Sequence, residues 1–347
     1  MRAGSRFLLF GFLMFCIFRI CPLTIGADSL VSVEPLTNVP AVDSVPNEIL
    51  QFAFMQKGFS FEDATTSCTF GAVFPVAGTI NLRGGTLYLE TDLIFQNPAN
   101  LVSTGYFWGN NHQIDLSQSI TWLSSTFQSQ FRDTSVFLNN DLTLAGTIKF
   151  LGSCLLDGRW NNVTFGQGAN LIIGHNTTLT MRNMELDGII GSNIRCLDDS
   201  ASLILDNVRW VQSGDYTFSR GSILFVNKVD VVGQHVFNFS PTLTSTIETD
   251  SILYFDVGTT FSYSPQVPKR TLLFMEDTTS FLSLNGCSVV ATRTGLQLSQ
   301  GTMIIDNHVT FSSQARFLAE GIELQSTLNI MVLGSATLDF FGIIVSN

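Results

Sequence analysis

The stretch from Thr177 to Gly233 constrains the fold more than any other part of the chain. It contains three short apolar runs, TLTMRN, SLILDN and SILFVN, each ending in Asn, with apolar residues resuming within two positions. The three Asn residues are Asn183, Asn207 and Asn227, at spacings of 24 and 20. One supersecondary unit returning at a near-fixed interval predicts a stacked, elongated architecture, because each unit buries its apolar side against its neighbours.

The pattern extends in both directions. GTLYLETDL begins at Gly85, GYFWGNNHQ at Gly105, TSVFLNNDL at Thr134 and DGRWNNVTF at Asp157. Downstream, DSILYFDVG begins at Asp250, TSFLSLNGC at Thr279 and GTMIIDNHV at Gly301. The turn position then holds Thr91, Asn110 or Asn111, Asn140, Asn161, Asn183, Asn207, Asn227, Asp256, Asn285 and Asn307, averaging 24 residues per step. Asn is common in any turn, but a β-sandwich has no reason to keep such a register. From Gly71 onward the apolar runs are short, divided by Gly, Asn, Asp, Ser or Thr, with no periodic segment of helix length.

These features predict an all-β chain: a single-stranded, right-handed parallel β-helix over 71–347, with three strands and three turns per coil. About eleven coils at the spacing of paired strands make a rod about 55 Å long. An Asn at each corner tolerates left-handed dihedrals, and its side-chain amide reaches the Asn carbonyl about 4.8 Å away in the next coil. An Asn ladder is therefore expected, with Leu205, Phe225 and Leu284 in apolar columns inside. The chain has 30 Phe against 5 Tyr and 4 Trp, bulk without polar atoms to satisfy, as a narrow dry interior requires.

The N-terminus reads as a signal peptide over 1–27. Arg2 and Arg6 precede the apolar run Phe7–Phe18, and Thr24-Ile25-Gly26-Ala27 closes it. The run is too short to span a bilayer and is followed by Arg19, so no transmembrane span is expected in the mature chain. Residues 28–46, with Pro35, Pro40 and Pro46, read as a linker. Residues 47–70 read as a cap segment, in which NEILQFAFMQKG forms either a short capping helix or an ordinary first strand. At the other end SATLDFFGIIVSN is still strand-like, which predicts an uncapped coil that meets a partner or a second copy unless the natural chain continues.

Charge restricts the partners. The net charge is −11, and removal of 1–27 leaves 14 basic against 28 acidic residues, or −14. Phosphate backbones would be repelled, so nucleic acid is not an expected partner. Cys68, Cys154, Cys196 and Cys287, at spacings of 86, 42 and 91, match no zinc pattern. An exported chain pairs them in up to two disulfides or keeps them as buried small hydrophobes.

With its TLTL and SLIL strands, Asn corners and signal peptide, the chain resembles the right-handed parallel β-helix superfold of pectate lyases, polygalacturonases and bacterial surface passenger domains. The resemblance covers about 71–347 and is nearest to the surface-passenger style, as in polymorphic outer-membrane proteins. It implies an exported structural or adhesive protein with a surface glycan or protein ligand. The alternative it implies is a polysaccharide lyase or glycoside hydrolase, in which carboxylates gather around Ca²⁺ beside a basic residue. For that alternative the candidates are Asp157, Asp187, Asp198, Asp199 and Arg195. Only the Asp198-Asp199 pair matches a polygalacturonase motif, and Gly174-His175-Asn176 lies before the pair rather than after it. Acids at β-turns ordinarily form the turn, and no cofactor or metal motif stands beside these.

Overall fold

The computed structural model describes residues 23–24, 58–61, 67–70, 74–81, 83–101, 105–116, 121–122, 128–292, 294–317 and 320–346. Over these residues the chain is all-β and forms a parallel β-helix of about ten turns. Apart from Leu23–Thr24 against Gly58–Phe61, every strand pairing is parallel. The signal peptide and linker segments otherwise lie outside the described residues, as does the capping helix expected at the start of 47–70. Within that segment Gly58–Phe61 and Ser67–Phe70 already stack on Phe74–Asn81 and Thr86–Leu89. No helix among the described residues is long and apolar enough to cross a membrane.

Each full coil contributes to three faces. Face A stacks Gln113–Leu116, Ser135–Leu138, then 153–157, 178–182, 202–206, 222–226, Ser245–Ile247 and Leu273–Met275. Face B stacks Leu142–Leu144, then 161–165, 184–187, 208–211, 228–231, Ile252–Phe255, Phe281–Asn285, Thr302–Asp306 and Asn329–Val332. Face C runs from Ser67–Phe70 through Asn170–Ile173 and Ile194–Cys196. It continues through 216–218, Val236–Phe239, Thr260–Tyr263, Ser288–Ala291, His308–Ser313 and Thr337–Phe341.

Strand alternation places every second residue inside. In-register stacking then aligns those residues in columns. On face A the column runs Met181, Leu205, Phe225, Ile247, Met275, and on face B Leu186, Trp210, Val231, Phe255, Leu284, Ile305. Leu284 thus occupies a different column from Leu205 and Phe225. On face C Phe107, Phe131 and Phe150 stack with ring centroids 5.0 and 5.6 Å apart. Tyr216, fully buried, donates its hydroxyl to the Ile194 carbonyl at 2.6 Å, which satisfies its polar end in the dry core.

The corners correct one expectation. The ten turn residues do not share one edge of the helix. Thr91, Asn110 and Asn111 lie where face C passes to A; Asn140, Asn161, Asn183, Asn207 and Asn227 where A passes to B; Asp256, Asn285 and Asn307 where B passes to C. In the coil after Asn227 the A–B corner is taken by Asp250, with φ of 57°, beside 53° at Asn227. Left-handed Asn residues occur at all three corners: Asn110 and Asn111 at C–A, Asn183, Asn207 and Asn227 at A–B, and Asn307 at B–C. A strand-then-Asn pattern therefore reads alike at all three.

Two partial ladders result. At the B–C corner the Asn307 side-chain amide donates to the Asn285 carbonyl oxygen at 2.5 Å, and Asn285 donates to Asp256 at 3.0 Å. At the A–B corner Asn207 donates to Asn183 at 3.4 Å, but Asn227 turns to the Asp206 carboxylate at 2.6 Å. In the coil before Asp256 the B–C corner is turned by Gly233, with φ of 119°, where a Cβ would lie 2.6 Å from the Gln212 carbonyl. Coils also lengthen: Ile252 pairs with Phe281, a step of 29, which is why fewer turns form than the average period implied.

Candidate functional site

The five sequence candidates fall on four separate parts of the helix. Asp157 is at the A–B corner, Asp187 at the end of face B, Arg195 on face C, and Asp198 with Asp199 at the C–A corner. Only Asp198 and Asp199 are brought together. Asp187 accepts the Gly188 N–H at 2.8 Å, a local turn bond, and Arg195 donates to Asn170 at 3.2 Å in the adjacent coil.

The C–A corner is the richer polar region. Successive coils place His175, Asp198-Asp199-Ser200, Arg220, Thr242 and Gln266 one above another. Asp198, Asp199, Ser200, Arg220, Thr242 and Gln266 line an open depression of about 480 Å³. His175 Nδ1 meets one Asp198 oxygen, and the Ser200 hydroxyl donates to the other at 2.7 Å. Ser200 Oγ in turn accepts the Asn176 N–H at 2.7 Å. The hydrogen bonds from His175, then Ser200, hold the Asp198 carboxyl below its ordinary value.

Serine, histidine and aspartate meet here, but not as a nucleophilic relay. Such a relay needs the hydroxyl hydrogen-bonded to the imidazole and the carboxylate on the far ring nitrogen. Ser200 gives its proton to the carboxylate instead, so the three residues tie two coils together. Asp199 is similarly engaged by the Thr242 hydroxyl at 2.6 Å, and Arg220 donates to the Leu197 carbonyl at 2.8 Å.

Asp157 is 5% exposed and anchors the second cluster. It accepts Arg182 Nε at 2.7 Å, the Arg159 N–H at 2.9 Å and Asn183 Nδ2 at 3.5 Å. Arg159 reaches the other way, to Asp115 at 3.2 Å and to Asn139, with its guanidinium 4.7 Å from the Phe137 ring. The charge pairs along this corner link residues 25 positions apart, Arg182 with Asp157, and 44 apart, Arg159 with Asp115. Arg220, Thr242, Gln266, Asp115 and Asn139 were not picked out from the sequence. The only signal for them was their position one or two coils away from the residues they bond.

Among the described residues no group of three or more His, Cys, Asp or Glu is placed to hold a metal ion. His112, His175, His235 and His308 each approach a single carboxylate. Cys154, Cys196 and Cys287 are free and buried, and burial pushes the thiols of Cys196 and Cys287 up to about 12. Such thiols stay protonated and are poor nucleophiles. Compared with models of protein families, with curated proteins and with solved structures, the chain matches none.

Proposed function

We propose that the protein is an exported structural or adhesive β-helix of the cell surface or extracellular space, without catalytic activity. The observation that carries this reading is the use to which the corner acids are put. Asp157, Asp187, Asp198 and Asp199 all accept hydrogen bonds that shape turns or join neighbouring coils. The signal-peptide pattern at 1–27 supports export, and a rod filled with Phe supports a scaffold that presents its outer faces. The coil at 329–346 supports self-association: Ile330, Val332 and Phe340, aligned with the interior columns, are 47%, 52% and 47% exposed.

One observation favours a second reading, a carbohydrate-active enzyme. The depression at the C–A corner combines two carboxylates with Arg220 and Gln266 on an open face. Incubation with acidic polysaccharides, with and without added Ca²⁺, separates the two. No turnover is expected. Turnover that disappears in the Asp198→Asn/Asp199→Asn double variant would overturn the structural reading.

A further inference from the structure

We propose that Trp160, on the bulge at the A–B corner, is a stacking platform for a neutral saccharide. Asp157 pairs with Arg182 and Asn161 with Met184, so Gly158, Arg159 and Trp160 stand opposite Asn183 alone. The coil has pushed two extra residues outward at this point. Both Arg159 and Trp160 adopt the left-handed region, with φ of 48° and 70°. A bulky aromatic there is an outlier, and strain of this kind persists only where the surroundings enforce it.

The surroundings do enforce it. The buried Asp157 carboxylate holds the Arg159 N–H at 2.9 Å, and Arg159 is tied onward to Asp115. Gly158 lets the bulge lie flat on the next coil, since a Cβ there would be 2.4 Å from the Met184 Cβ. The bulge is thus rigidly supported, yet Trp160 is 74% exposed, whereas Trp210 in the core is 0% exposed. Strain and exposure together contribute nothing to the stack, which points outward to a ligand.

The chemistry narrows that ligand. An indole face attracts the C–H-bearing side of a pyranose ring, which is apolar and slightly positive. A protein partner would require a contiguous apolar patch, whereas the residues next to Trp160 are Arg159 and the Asn161-Asn162 pair. Asn162, exposed, and Asp141, which accepts the Asn162 N–H at 2.8 Å, offer partners for ring hydroxyls. Asp115, Asp141 and Asp157 outnumber Arg159 and Arg182, so a uronate or phosphate would meet net negative charge.

The inference deepens the adhesive reading, and its test is separable from it. Purified full-length protein is titrated with cellohexaose, chitohexaose and hexagalacturonate, following tryptophan fluorescence and calorimetric heat. At least one neutral oligosaccharide is expected to bind and to shift the emission. Trp160→Ala should weaken it about tenfold or more, Trp160→Tyr should retain most of the affinity, and Phe317→Ala, at a distant exposed aromatic, should leave it unchanged. Because Trp160 is exposed, circular dichroism of the Ala variant should match the parent; if that variant does not fold, the Tyr variant and calorimetry of the parent still decide. No binding of either neutral sugar, binding unchanged in Trp160→Ala, or binding of hexagalacturonate alone would overturn the proposal. Polysaccharide turnover would defeat the non-catalytic reading and leave this site standing.

Discussion

Asn207 shows how much one corner residue does. Its φ of 54° is unfavourable for most residues with a Cβ but tolerated by Asn, and its amide bonds Asn183 in the neighbouring coil. Asn207→Ala removes the bond and puts a less tolerant residue in the left-handed region, and should cost about 1–2 kcal/mol. Asn207→Gly relieves the backbone and should cost less; urea denaturation of the two variants measures the difference. Asp198 makes a statement about pH. Its carboxyl sits below the unfolded-state value of 3.8, so its contribution is present above that value and is lost as pH falls through the lower folded value. Melting temperatures measured from pH 6 down to pH 3 should fall more steeply for the parent than for Asp198→Asn; equal slopes would contradict the bonding described. For Cys196 and Cys287 the sign is opposite. Their thiols titrate at about 12 folded against 9.0 unfolded, so stability declines as pH rises above 9.0, and a colorimetric thiol reagent should react with them only on unfolding.

At the scale of the strand, the columns set the energetics. Phe255 is fully buried on face B, edge-on to Phe237 at 6.0 Å and 4.9 Å from Phe261. Truncation to Ala opens a void that the rigid rungs above and below cannot close, so a cost of about 3–5 kcal/mol is expected by chemical denaturation. The loss should be felt mainly in the two adjoining coils, since each coil touches only its neighbours. Hydrogen exchange by mass spectrometry should accordingly show loosening around 236–285, with 150–190 little changed. The A–B corner behaves differently: its bonds run through charged pairs such as Arg182 with Asp157, and these fix the shape of the bulge more than they stabilise the core.

For the whole molecule, about ten turns at about 4.8 Å make a rod about 48 Å long. Small-angle scattering should give an elongated profile. The apolar coil at 329–346 carries one charged residue, Asp339, which lies 3.6 Å from His308. In the proposed self-association this coil, with Asp339 as its single charge, would stack on another copy through its open strand edges. Sedimentation of the full chain should therefore depend on concentration, and Val332→Asp or Phe340→Asp should remove that dependence. A chain that stays monomeric at all concentrations would sink the self-association reading.

Periodicity and composition, by themselves, determined that the chain is a parallel stack of short strands with a Phe-rich interior. A repeat of apolar run and Asn carries that information locally, and every coil solves the same packing problem. What they left open is which corner each Asn turns. Asn183, Asn207 and Asn227 lie on one edge while Asp256, Asn285 and Asn307 lie on another, because a polar turn-former after a short apolar strand serves all three corners, with left-handed Asn at each of them. The polar clusters were hidden for a related reason. His175 and Asp198, or Arg159 and Asp115, are neighbours only because a coil returns the chain to the same edge after 23 or 44 residues. Trp160 was visible as a residue of a loose repeat. Only the stack, by pairing Asp157 with Arg182 and Asn161 with Met184, forces it outward into solvent.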